Sequence, residues 1–285
     1  ALAVSYALDA RADATLPRPA GLVLISPAIG ITRLAAIGRI RTGLSDLQGF
    51  GRAAWQLIEA EVDPYKYQSF SFNAAGATQR LTSGLSRRIA AIASQGPVRD
   101  MPPILAFVST VDSTVQVPAV IDSLLGRLAP EGHELVVFDV NRLSVVQPLL
   151  IADPAPLTRR LLAQTQRPFA LTLITNASAS TLQVAERRSS ALGTATTERP
   201  LDLAWPRNVF SLSHVALPFP PDDPLYGYAA PVTSRHVQLG RIEIRGENGV
   251  LNVPNWMLTR QRSNPFHAYL VERIESFLAG APQNQ

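Results

Sequence analysis

Two residues in this chain have both the type and the setting for proton chemistry. Asp112 follows the apolar run "ILAFVST", and His214 follows "VFSLS". Short apolar runs bounded by chain breakers read as buried strands, and in an open parallel sheet reactive groups collect where strands end at their carboxyl edge. A carboxylate on one strand end and an imidazole on a later one form a working pair. The acid holds the ring in one tautomer and stabilises the imidazolium formed when it takes a proton from a hydroxyl. Val209 to Leu212 read as the strand before the histidine, and Pro218, Pro220, Pro221 and Pro224 exclude a helix or a central strand after it. His214 is thus expected at a strand mouth, on a loop stiffened by proline.

Both residues also have ordinary uses. Asp112 is well suited to cap the helix expected over 115–128, and a histidine at a strand end serves equally well as a hydrogen-bonded core group. Asp139, which ends "VVFDV", competes for the acid position, while Asp222 and Asp223 in the proline loop read by default as solvated. The nucleophile is the missing part. A strand-to-helix elbow needs Gly-x-Ser-x-Gly, and no such pentapeptide occurs in the 285 residues. Ser26 ends a strand, but Pro27 removes the backbone N–H that would supply half of an oxyanion hole. Ser5 falls within a helix.

Composition narrows the classes further. A hydrophobic content of 46% supports a large buried core, and the absence of cysteine removes disulfides, thiolate catalysis and thiolate metal sites together. Four histidines, at 133, 214, 236 and 267, are too scattered for a metal motif, so neither a metal nor a cofactor is expected. The net charge of +4 is the balance of 26 basic and 22 acidic residues; the basic set is nearly all arginine, with Lys66 the sole lysine, and the Arg87-Arg88, Arg159-Arg160 and Arg187-Arg188 pairs lie far apart. No basic block with interleaved aromatics marks a nucleic-acid surface. No apolar run reaches the roughly 18 residues of a membrane helix.

The elements that must position these groups follow a helix, strand, loop, helix order. "ALAVSYALDA" is an amphipathic helix, and "GLVLISPAIG", "PPILAFVSTVD" and "HELVVFDV" read as buried parallel strands. "FALTLIT" adds a further strand, 176–207 reads as a polar link, "GRIEIRGENGVLNVP" as a hairpin, and "NPFHAYLVERIESFLAG" as a closing helix. Right-handed crossovers between such strands imply an α/β fold, a parallel sheet covered by helices. The expected organisation is sheet core over 1–31, an inserted helical cap over 32–100 that includes "GRAAWQLIEAEV", core again over 101–280 with the acid and histidine loops, and a tail at 281–285. The cap is rich in aromatics: Trp55, Tyr65, Tyr67, Phe70 and Phe72.

Together "ALAVSYAL", "GLVLISPAIGIT", "DPYKYQSFSFNAAGATQRLT", "PPILAFVSTVDSTVQ" and "SLSHVALPFPPDDPLYG" resemble the α/β-hydrolases, in particular the serine aminopeptidase and monoacylglycerol lipase-like (lysophospholipase-like) group. The resemblance spans most of the chain. It implies the C-terminal part of a hydrolase sheet, with the elbow serine about four residues before Ala1 and both oxyanion donors upstream. It assigns Asp112 as the acid and His214 as the general base, and it makes the cap a gate over an acyl site, with Tyr65, Tyr67 and Phe70 as substrate contacts. The implied substrate is a small ester or lipid-like molecule, with aminopeptidase action by the same triad and a non-catalytic binding domain as alternatives. Any contact with a membrane surface, and the compartment, would be decided by the upstream segment. One stretch departs from the family pattern: the long connection between "ELVVFD" and His214.

Overall fold

A computed structural model describes residues 1–30, 55–57, 69–112, 114–151, 153–212, 215–230, 240, 250–251 and 261–280. The chain begins with helix α1 (Leu2–Ala12), whose Val4, Ala7 and Leu8 recur at helical spacing and are buried. Strand β1 (Leu22–Ile25) follows, then the short β2 (Trp55–Leu57) and β3 (Phe70–Ser71), which pair antiparallel. "GRAAWQLIEAEV" is therefore not helical throughout: pairing with Phe70–Ser71 overrides helix propensity at Trp55–Leu57. Ser71 caps helix α2 (Phe72–Ala93) by accepting from the Ala74 N–H at 3.2 Å. Residues 31–54 and 58–68, about half of the expected cap, lie outside the described residues. The described C-terminal half of α2 lays Leu85 and Ile89 into the main core.

Strand β4 (Ile104–Ser109) is buried along its whole length, as its apolar run predicts. Helix α3 starts as the α-helical turn Val117–Ala119, widens to a π-helical turn over Val120–Leu124 and tightens to a 3-10 turn over Leu125–Arg127. Strand β5 (Glu134–Phe138), helix α4 (Ala155–Ala163), strands β6 (Ala170–Asn176), β7 (Gln183–Ser189) and β8 (Thr196–Ala204), and helix α5 (His267–Gly280) complete the order.

The six-stranded sheet runs β1-β4-β5-β6-β7-β8. β1, β4, β5 and β6 are parallel, with Leu22 opposite Ile104, Leu105 opposite Glu134 and Glu134 opposite Ala170. β7 and β8 then add an antiparallel meander. Here the expectation of a polar link over 176–207 fails. Beside its ladder the pair carries cross-strand charges, Arg187 to Glu198 at 2.9 Å and Arg199 to Glu186 at 3.5 Å, and β8 is mostly exposed, with an apolar alternation only at Leu201 and Leu203 near its end. Pro200 in β8 suits an edge position because it offers no N–H to a further strand.

Each face of the sheet has its own core. Leu24, Ala106, Val108, Val137 and Leu171 pack beneath α1, α2, α3 and α4. Phe107, Phe138 and Ile174 meet Trp205, Leu212, Phe266 and Tyr269 on the other face. Phe138 stacks on Phe266 at 5.7 Å between ring centroids, and Trp205 meets the same ring edge-on at 4.9 Å. Two ties fasten α5: Arg273 to Glu134 at 2.6 Å, and the Tyr269 hydroxyl, which donates to Glu186 at 2.6 Å.

His133 lies just before β5 and is only 2% exposed, with neither ring nitrogen in a well-formed hydrogen bond. Burial pushes its imidazole down to about 4, a shift that a loose contact with the Ala129 backbone offsets slightly. The unfolded chain therefore binds a proton that the folded one refuses, and stability falls as pH drops from 6.5 toward 4. At full extent the loss is about 3 kcal/mol. His133→Phe should flatten that part of the denaturation-versus-pH curve relative to wild type. Parallel curves for the two proteins would contradict this assignment.

Candidate active site

The parallel strands β1, β4 and β5 end together at the carboxyl edge, and the residues just beyond them form the candidate site. After Ser109 the chain turns through Thr110 and Val111, with the Asp112 N–H donating to the Ser109 carbonyl at 3.3 Å. Asp112 is half-buried. Its Oδ1 accepts from the N–H groups of Thr114 and Val115, each at 2.9 Å. These bonds fix the turn ahead of α3 rather than capping the helix, whose N-cap is Gln116, and they leave the second oxygen without a hydrogen-bond partner among the described residues. A carboxylate held by one oxygen with the other unfilled is oriented and still able to accept.

Asp139 is occupied. Arg142 donates to Oδ1 through Nη2 and to Oδ2 through Nε, both at 2.9 Å; the Val140 N–H adds 2.9 Å to Oδ1 and the Thr175 hydroxyl 3.2 Å to Oδ2. The residue is 4% exposed, and Arg142 is held on its other side by Asp153. Burial works to lower the Arg142 pKa, but the hydrogen bonds and charges of Asp139 and then Asp153 reverse that and raise it. With both oxygens filled, Asp139 serves a buried ion pair and has no acceptor left for an imidazole.

Residues 209–212 and 215, the described parts of a strap, are tied to the strand ends. The strand expected at Val209–Leu212 does not form: 210–212 join no ladder, and the Phe210 and Leu212 carbonyls bond instead to a loop amide and a side chain at the sheet edge. Asn141, just past β5, donates its N–H to the Phe210 carbonyl at 2.8 Å and its Nδ2 to that of Val209 at 3.3 Å. Ser109, the last residue of β4, donates its hydroxyl to the Leu212 carbonyl at 2.6 Å. Ser26, just past β1, accepts from the Val215 N–H at 3.2 Å. Asn264, before α5, donates to the Val215 carbonyl at 3.4 Å. Leu212 and Val215 also bury their side chains, at 0% and 1% exposure, in the second core. The two residues between them, Ser213 and His214, lie outside the described residues, as do Tyr65, Tyr67 and the side chain of Phe70.

These anchors carry no motif in the sequence. Ser26 and Ser109 can be recognised only as strand-terminal hydroxyls, and Ser26 additionally sits at φ 44°, a left-handed conformation uncommon for serine. Removing the Ser109 hydroxyl would leave the buried Leu212 carbonyl unpaired. Ser109→Ala is thus expected to cost about 1–3 kcal/mol. Faster amide exchange at Val215 in the alanine variant, restored in Ser109→Thr, would show that the loss acts on the strap; unchanged exchange would exclude it.

Beyond the strap, Asp223 is not simply solvated. Its Oδ1 accepts from the N–H groups of Leu225 and Tyr226, at 3.0 and 2.7 Å, and fixes the turn in the proline loop. A Cβ on Gly227 would lie 2.3 Å from the Pro221 carbonyl oxygen, so this turn admits only glycine. Phe219 and Tyr226 pack at 4.3 Å between ring centroids.

No group of three or more histidine or acidic side chains among the described residues is arranged to hold a metal ion. No described helix is long and apolar enough to cross a membrane. Fold and edge together define an α/β protein with a mostly parallel sheet, flanked by helices, with a carboxylate and a pinned strap at its carboxyl edge. No protein-family model, curated protein or solved structure matches the chain.

Proposed function

We propose that this chain is the C-terminal part of a serine hydrolase of α/β-hydrolase type, acting on carboxylic esters through an acyl-serine intermediate. The observation that carries the reading is the strap. Leu212 and Val215, the described residues on either side of Ser213 and His214, are tied to the ends of two adjacent strands, and Ser109, which ties one of them, also accepts the Asp112 N–H. In this reading Asp112 orients His214, which takes the proton from a serine hydroxyl as the serine oxygen attacks the ester carbonyl. The imidazolium then returns the proton to the leaving alcohol, and the same base activates water to free the acid.

The direction of α1 supports an upstream serine. Its C-terminal end lies at the amino edge, where Arg11 Nε donates to the Arg99 carbonyl at 2.7 Å, so its N-terminal end points toward the edge that carries Asp112. A serine elbow leading into this helix would thus open beside the strap. The aromatic content of the 32–100 segment favours an acylglycerol- or lysophospholipid-like ester. Of these aromatics, Trp55 is 44% exposed, while Phe72 is buried at 6%.

The test is fluorophosphonate labelling of a longer natural chain that includes the segment before Ala1. Labelling of a serine within a Gly-x-Ser-x-Gly just upstream, sharply reduced in His214→Ala, is the expected result. Absence of labelling, or equal labelling in that variant, would overturn the proposal.

A further inference from the structure

At the opposite, amino edge of the sheet, the turn from α4 into β6 faces the end of α3 across a cleft of about 540 Å³. Arg127, Gln164, Thr165 and Arg167 are among the residues that line it. Arg167 is 4% exposed. It donates through Nη1 to the carbonyls of Leu161 and Gln164 and through Nη2 to the Ser189 hydroxyl, while Nε is shut off from solvent with no acceptor. All these acceptors are neutral. No carboxylate among the described residues pairs with it, and the last carbonyls of α4 supply only a partial negative charge.

The rest of the wall does not neutralise this cation. Arg127 donates Nε to the Asp122 backbone carbonyl at 3.1 Å and forms no ion pair among the described residues. Asp122 also lines the cleft, but its carboxylate is engaged by Arg160 at 3.5 Å. A buried guanidinium without a counter-ion is costly, and planar guanidinium groups match the geometry of carboxylate and phosphate oxygens. We propose that this cleft binds a small oxyanion, a phosphate or carboxylate group, with Arg167 as the buried counter-charge and Arg127 as the exposed contact at the rim. The site is remote from the carboxyl edge and does not rest on the hydrolase reading.

Titration calorimetry of this chain with sodium phosphate, and separately with sodium acetate, in chloride buffer of matched ionic strength tests it. The expected result is saturable one-to-one binding of at least one of the two; preference for phosphate assigns a phosphate ligand, and preference for acetate a carboxylate. Arg127→Gln should weaken the binding by about tenfold or more while leaving the thermal midpoint in chloride unchanged. Arg167→Gln should abolish binding, but Arg167 also ties α4 to β7, so the Arg127 variant is the deciding one. No saturable heat with either anion, or wild-type affinity in Arg127→Gln, would overturn the proposal.

Discussion

Asp112→Asn, introduced into a longer chain that carries the proposed nucleophilic serine, should lower the rate of fluorophosphonate labelling by about 10³- to 10⁴-fold without loss of fold. Asparagine keeps the oxygen that accepts from Thr114 and Val115, so the turn leading into α3 survives. What disappears is the negative charge that, in the proposed triad, orients an imidazole and stabilises its protonated form. Asp139→Asn should behave in the opposite way, destabilising the protein while leaving the labelling rate per folded molecule near wild type. If Asp139→Asn abolished labelling in a stably folded protein and Asp112→Asn did not, the acid assignment would be wrong.

The second large effect is expected at Arg142. Truncation to methionine strips the buried Asp139 carboxylate of its bidentate partner, a loss of about 3–5 kcal/mol for a buried pair broken on one side. The urea midpoint should fall accordingly. Replacing both residues, as Asp139→Leu with Arg142→Met, should recover much of the loss, because no uncompensated charge is then left inside. A single-variant loss below about 1 kcal/mol would mean that the pair behaves as a surface bridge, despite its burial.

The contrast between these two carboxylates shows how far the sequence carries. Each follows an apolar strand, and each strand was legible because β4 and β5 are short apolar runs covered on both faces. Which acid keeps an oxygen without a hydrogen-bond partner among the described residues was not legible. Asp139 is filled by Arg142, three residues on, and by Thr175, 36 residues away, and only folding β6 against β5 brings that hydroxyl to it. Sequence spacing reports which edge a side chain reaches, but it does not report what else arrives there.

The same division holds through the molecule. Local pattern was enough for α1, α5, the parallel strands and the position of Asp112, since burial on a helical stripe or a two-sided strand imprints a period on the residues themselves. It was not enough for β7 and β8, whose exposed faces carry paired charges that read as a polar linker until Arg187 is seen opposite Glu198. Nor was it enough for the strap. Ser109 meets Leu212 over 103 residues and Ser26 meets Val215 over 189, and a lone serine carries no periodicity that would mark its distant carbonyl or amide. By itself the sequence determined which segments are buried and where the chain turns, because those depend on local apolar content and on proline and glycine. Tertiary structure alone decided which polar groups meet, because a hydrogen bond between distant residues is a property of the fold and leaves no local signature.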